Sequence, residues 1–420
     1  MRASTAFVFC FVVCVLVHSS FASTRRHYIA ADEVEWNYAP SGFNNVEEVL
    51  LEEGRDSHVF FETGPDRIGG TYIKALYREY TDESFSELVP RDEHLGLLGP
   101  IIWAEVGDTI EIVFRNNARY PFSMLPHALF YVEETGQLQA DPGETVNYTW
   151  YVPGRTSPTP SDWSSTLYPY HSHVDEVADT SAGLVGGVIV TRKGEAHENG
   201  HPRGIDREFI IMYSVIEESQ SVYIDDNIAT FLGEDRVDDE DLRDEDFDNS
   251  NGMNSINGLM YANIEGLEME TKERVRWYTF VSGSERDIHT AHWHGQTLVT
   301  MEGNRIDIHP IFPHIPQIMD MVPDSSGTWF FHCHVNAHLR DGMSAFFTVI
   351  PSADQYANTR NFATLYDPFA YLIHRTYDYE TFLPELPPPS SGPFDPFPSS
   401  SGQKVSFSVL TGVLMIFLLS

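Results

Sequence analysis

The stretch FHCHVNAHLRDGM, from Phe331 to Met343, carries three histidines, one cysteine and one methionine within thirteen residues. Read as a strand running into a loop, its alternation sends Cys333 to one face of a sheet and its neighbours His332 and His334 to the other. One short peptide can therefore serve two metal sites. Cys333 offers a thiolate, His338 an imidazole and Met343 a thioether, which are the soft ligands of a blue-copper electron-transfer centre with methionine as the long axial ligand. A lone cysteine is more often a small buried hydrophobe, but the density of donors around this one argues for a metal.

Working outward, four histidine-rich stretches share the i, i+2 spacing: Leu125-Pro126-His127, His171-Ser172-His173, His292-Trp293-His294 and His332-Cys333-His334. Residues i and i+2 of a strand share a face, so each intact pair presents two imidazoles in one direction. Two stretches from each half of the chain could together enclose a multinuclear copper cluster. His289 precedes His292 by an odd number of residues and so turns to the opposite face, toward Cys333, His338 and Met343.

The scaffold for these stretches reads as all-β. From His27 to about Arg192, short β-branched and aromatic runs such as Gly99 to Val113 (GPIIWAEVGDTIEIV) alternate with Gly, Pro, Asn and Asp, without extended helical periodicity. A β-sandwich or barrel is the economical expectation. A second set begins near Glu208 (EFIIMYSVI) and ends near Pro351 in the same order, giving an internal repeat of about 160 residues. We therefore expect one domain over residues 27–195 and another over 205–352, with Lys193 to Arg207 as an exposed linker. The acidic run DRVDDEDLRDEDFD, Asp235 to Asp248, reads as a solvated loop.

The chain has 420 residues and a net charge of −36, which argues against nucleic-acid or anionic-membrane binding and suits an extracellular surface that attracts cations. Residues 1–22 combine Arg2, an apolar run from Ala6 to Val17 and the small-residue exit Ser20-Phe21-Ala22, the pattern of a secretory signal. Cys10 and Cys14 lie within it, so a processed chain keeps only Cys333 and cannot close an internal disulfide. Residues 353–402 end in a Pro/Ser-rich stalk, LPELPPPSSGPFDPFPSSSG. Residues 403–420 are mostly apolar, and the small residues before them fit a GPI-type attachment signal. Asn147-Tyr148-Thr149 is a glycosylation sequon.

Several phrases together make the chain resemble the multicopper oxidases of the ceruloplasmin and hephaestin type: RIGGTYIKALYREYTDESF, LGLLGPIIWAEVGDTIEIVFRNNA, YHSHVDEVADTSAGLVGG, HTAHWHG and HCHVNAHLRDGM. The resemblance covers about Arg26 to Pro351. It implies two cupredoxin-like Greek-key domains, with type-1 copper in the second held by His289, Cys333, His338 and Met343. Ser172 matches that cysteine in the first domain, which is then expected to lack a type-1 site. By position, His127, His171, His173, His294, His332 and His334 would hold the type-3 copper pair, and His292 would be a type-2 ligand. The other type-2 position is Leu125, which cannot bind copper.

The resemblance also implies an oxidase. Single electrons from a reductant would enter near His338 and pass through Cys333 to His332 and His334, where oxygen is reduced to water. Asp175, two residues after His173, is a candidate proton donor. Ferrous iron is the reductant for some relatives, but the positions matching their iron-binding carboxylates and histidine hold Asn249, Asn254 and Ala337. The expected substrate is thus a metal ion, ferrous iron included, or a small aromatic reductant, and a non-catalytic, acidic copper-binding surface protein is the alternative. Because larger relatives close a ring of three domain pairs, a chain with one pair is expected to form a head-to-tail homotrimer with clusters between chains.

Overall fold

The alternation that marks the strand Thr109–Asn116 is a packing rule: Ile110, Ile112 and Phe114 are buried while Thr109, Glu111, Val113 and Arg115 are partly accessible. Strands of this kind build most of the computed structural model, which describes residues 22–133, 136–282 and 288–352. The expected signal segment with Cys10 and Cys14, the stalk and the apolar C-terminal segment lie outside the described residues.

In the first half, one sheet runs in the order Thr71–Tyr80, Thr24–Asn37, Thr109–Asn116, Thr145–Tyr151 and Phe130–Glu133. The facing sheet runs Ile101–Glu105, Val185–Thr191, Ser165–His171 and Leu125–Pro126. The second half repeats this plan. Its strands Gly252–Ile256, Arg207–Glu217, Val275–Val281 and Gln317–Met321 lie in one sheet, and Glu268–Glu270, Ser344–Ile350, Gly327–Cys333 and His289–Trp293 lie in the other. Pairing directions match as well. Thr24–Asn37 runs parallel to Thr109–Asn116 as Arg207–Glu217 does to Val275–Val281, and the strands before and after each are antiparallel.

Each half closes a core between its own two sheets, and a third cluster joins the halves. The strand Arg207–Glu217 shows why its sequence is continuously apolar. Phe209, Ile211, Tyr213 and Val215 face the second half's core, while Ile210, Met212 and Ile216 face the cluster shared with Leu76, Ile101, Leu167 and Ile189 of the first half.

Polar groups cross the same seam. The Lys74 ammonium is fully buried, paired with Glu218 and donating to the Ser181 carbonyl at 2.6 Å. Tyr38 donates to Glu218 at 2.5 Å and Tyr72 to Asn251 at 2.6 Å. Arg276 forms a buried two-pronged pair with Asp320 (2.7 and 2.9 Å) and also reaches the hydroxyls of Ser164 and Ser165 at 2.8 Å.

Two local expectations change on inspection. Asp235 to Asp248 does not run as an extended loop, because Leu242 and Phe247 are buried as anchors and Asp244 caps the short helix Glu245–Ser250. The segment from Lys193 to Arg207 is largely exposed, yet Trp103 stacks on His201 at 4.2 Å between ring centres and Ala196 bridges to Pro202.

Candidate metal centres

The strand Gly327–Cys333 ends at the cysteine, and the following turn is folded back so that the Cys333 amide donates to the Met343 carbonyl at 3.0 Å. The short helix Asn336–Arg340 between them carries His338. On the neighbouring strand, Ala291 pairs with Cys333, which brings His289 alongside. Cys333 Sγ lies 3.6 Å from His338 Nδ1 and 3.8 Å from His289 Nδ1. The three donor atoms all fall within 4.8 Å of one another.

Met343 is fully buried in the same core cluster as Cys333. The Thr290 amide donates to Cys333 Sγ at 3.4 Å, a bond that favours a thiolate. Burial first and the neighbouring His338 second push the His289 imidazole down to about 3, so its lone pair is available at neutral pH. A cysteine sulfur, two imidazoles and a nearby thioether are the chemistry of a copper electron-transfer site.

Two further groups contain only histidines. In the second half, His332 Nε2 lies 3.2 Å from His292 Nδ1 and 3.0 Å from His294 Nε2. His334 is exposed, with its ring 5.2 Å from that of His292 and 5.4 Å from that of His332. In the first half, His127 Nε2 and His171 Nε2 are 2.8 Å apart, and His173 stacks on His171 at 4.2 Å between ring centres. No ring contact joins these first-half imidazoles to His292, His294, His332 or His334 among the described residues.

Both groups orient their central imidazole in the same way. His332 Nδ1 is 2.8 Å from the Cys333 carbonyl and His171 Nδ1 is 2.9 Å from the Ser172 carbonyl. A carbonyl only accepts, so Nδ1 carries the proton and Nε2 is left as the metal-facing lone pair. Burial pushes His171 and His332 down to about 4 and also lowers His127, His292 and His294.

Strand register aligns the two halves residue by residue. Leu125 pairs with His171 as His292 pairs with His332, and Val185 pairs with His171 as Ser344 pairs with His332. Leu125 therefore stands at the place of His292, Ser172 at that of Cys333 and Leu184 at that of Met343. Leu125 is buried in the first-half core. Ser172 donates to the buried carboxylate of Asp179 at 2.6 Å and accepts from the Ser123 amide at 3.1 Å. A hydrogen-bonded serine thus fills the position that a thiolate holds in the second half.

The histidine pairs straddle strand ends: His171 closes Ser165–His171 and His292 and His332 are the last residues but one of theirs, while His173, His294 and His334 lie just beyond. Asp175 is exposed and accepts from the Ala178 amide at 3.2 Å, capping the helix Glu176–Ala182. Asn254 is buried against the Gly252 carbonyl, whereas Asn249 and Ala337 are exposed. Asn147 lies on the accessible face of its strand. Sequence reading did not single out Glu176, 3.6 Å from His171, or Asp307, 3.8 Å from His292; neither has a motif to mark it.

Multicopper oxidase family models match residues 95–195 and 236–353, together just over half of the chain. The chain is 38% identical to hephaestin from Mus musculus over 343 residues, covering 80% of this chain and 30% of that protein. It is 40% identical to human ceruloplasmin over 348 residues (77% and 32%) and 39% identical to human ferroxidase HEPHL1 over 344 residues (80% and 30%). The chain thus spans about a third of the length of these relatives. Among solved structures, a copper nitrite reductase from Nitrosomonas europaea (TM-score 0.50, 17% identity, 78% of this chain and 94% of that one) and the multicopper oxidase mgLAC (0.50, 17%, 82% and 92%) share the cupredoxin-like β fold. Donor chemistry, family models and relatives agree: the chain belongs to the multicopper oxidase family, whose cofactor is copper.

Proposed function

We propose that the protein is an extracellular oxidase that couples one-electron oxidation of ferrous iron, another metal ion or a small aromatic reductant to the reduction of oxygen to water. The observation that carries this reading is the double role of one peptide: Cys333 lies against His289 and His338, while the adjoining His332 lies against His292 and His294. His289, Cys333, His338 and Met343 would hold the type-1 ion, His292 would serve the type-2 ion, and His127, His171, His173, His294, His332 and His334 would serve the type-3 pair. Bound copper supplies one-electron storage and the reduction of oxygen.

The chain's own groups do the rest. The Thr290 amide favours the thiolate, the Cys333 carbonyl fixes the His332 tautomer, and half-buried His338 gives the reductant its nearest approach. Asp175, two residues after His173 in sequence, is assigned the delivery of protons to reduced oxygen. A head-to-tail trimer would complete each cluster between neighbours, the first-half histidines of one chain meeting the second-half histidines of the next. We further propose two domains, a glycan at Asn147 and a lipid anchor at the cell surface. Leu125 favours a second reading, a copper-binding surface protein without turnover.

Oxygen uptake by copper-loaded protein, given ferrous iron or an aromatic diamine in excess, tests the proposal against Cys333→Ser. Uptake abolished by the substitution is the expected result. Absence of uptake with either reductant, in protein whose copper content is full, would favour the second reading.

A further inference from the structure

Asp307 is the single residue between the strands Arg305–Ile306 and Ile308–Ile311, and its side chain reaches the second-half histidines. Its carbonyl accepts from the Trp293 amide at 2.9 Å, and the next residue, Ile308, pairs with His292. The backbone is therefore fixed beside the stretch His292-Trp293-His294. From there Asp307 Oδ2 lies 3.8 Å from His292 Nε2, too far for a hydrogen bond.

The tautomers give that separation a meaning. The Cys333 carbonyl holds the proton of His332 on Nδ1, so His332 Nε2 is a bare lone pair, and His292 Nδ1, 3.2 Å from it, is placed to donate. His292 Nε2 is then bare as well. It faces a carboxylate oxygen, and two acceptors so placed call for a donor or a cation between them. Donors that bind one ion at about 2 Å stand about 2.8 to 4 Å apart, a range that includes the 3.8 Å between these two atoms.

We propose that Asp307 is the second ligand of the type-2 copper ion, standing in for the imidazole that Leu125 removes. The inference rests on the reading of His292 as a type-2 ligand, and it leaves the six type-3 histidines as assigned. Leu125 is buried in the first-half core and has no donor atom to offer. One nitrogen and one oxygen donor suit the tetragonal geometry of copper(II). The Asp307 side chain is 60% exposed, so water and oxygen keep access to the remaining positions of the ion.

Electron paramagnetic resonance of the copper-loaded full chain separates type-2 from blue copper, with copper counted per chain. The unmodified protein is expected to show both signals. Asp307→Asn should keep the blue signal and hold type-2 copper at least about tenfold more weakly against a chelator, since loss of even an outer partner costs about ten- to a hundredfold. Adding Leu125→His to that variant should restore the type-2 signal. Unchanged type-2 signal and affinity in Asp307→Asn overturn the proposal. His292→Ala separates the two readings: a signal lost there but kept in Asp307→Asn removes Asp307 alone, whereas a signal that survives His292→Ala removes the reading of His292 as well. An unmodified protein with blue copper and no type-2 signal also overturns the proposal, and a signal gained there on Leu125→His spares His292.

Discussion

His332 and Cys333 are consecutive residues that belong to different donor groups. Cys333 Sγ lies 3.6 Å from His338 Nδ1, while His332 Nε2 lies 3.0 Å from His294 Nε2, and a 2.8 Å bond from His332 Nδ1 to the Cys333 carbonyl couples the two. In the proposed oxidase, electrons entering at the sulfur would have a covalent and a hydrogen-bonded route to the histidine cluster. Where the first-half histidines stand relative to these two groups depends on the two halves holding a fixed geometry.

That geometry is predicted to be sensitive to the buried ion pair at the seam. Lys74→Ala leaves the Glu218 carboxylate buried with only Tyr38 as donor, which should cost about 3–5 kcal/mol of stability. The double replacement Lys74→Met, Glu218→Leu should recover most of the loss. Thermal unfolding of the three proteins checks this; a double mutant no more stable than Lys74→Ala would show that the charges themselves hold the seam.

Acid stability should depend on His94, which is buried edge-on against Phe209 at 5.2 Å and pushed down to about 4, chiefly by burial. The unfolded chain takes up this proton near 6.5, so the stabilisation is complete above that pH and is lost as pH falls toward 4. The loss amounts to about 3 kcal/mol. Denaturant unfolding at a series of pH values should show a shallower acid decline in His94→Leu than in the unmodified protein. Parallel curves would contradict this.

The observed capping role of Asp175 and its proposed role in proton delivery can be tested apart. Asn is as good an N-cap as Asp, so Asp175→Asn should melt like the unmodified protein while Asp175→Ala loses about 1 kcal/mol. Only the carboxyl can relay a proton, so the Asn variant should lower oxygen uptake about a hundredfold. An Asn variant with full turnover would leave helix capping as the residue's role.

The sequence and the structure agree most closely where periodicity and chemistry coincide. Short β-branched and aromatic runs such as Gly99 to Val113 pointed to the all-β scaffold, and the spacing of His289, Cys333 and His338 pointed to the sulfur-containing group, because neighbouring strands convert short sequence offsets into proximity. The repeat was legible by its order, and pairing of Leu125 with His171 gave it a residue-level register. What escaped notice depends on contacts across the seam. His314, whose ring stacks 5.9 Å from that of His127, lies 187 positions from it and carries no motif, and the Lys74 to Glu218 pair spans 144 positions. Such proximity arises from packing of one half on the other, which no local pattern records.

The link between the two donor groups is tested most directly by following the blue colour of copper-loaded protein. Ferrous iron or an aromatic diamine, added without oxygen, should bleach it, and admission of oxygen should restore it while oxygen is consumed. Cys333→Ser should show no such colour at any stage. Colour that bleaches and stays bleached in oxygen would contradict the account, because electrons held at Cys333 would then have no path through His332 to the acceptor.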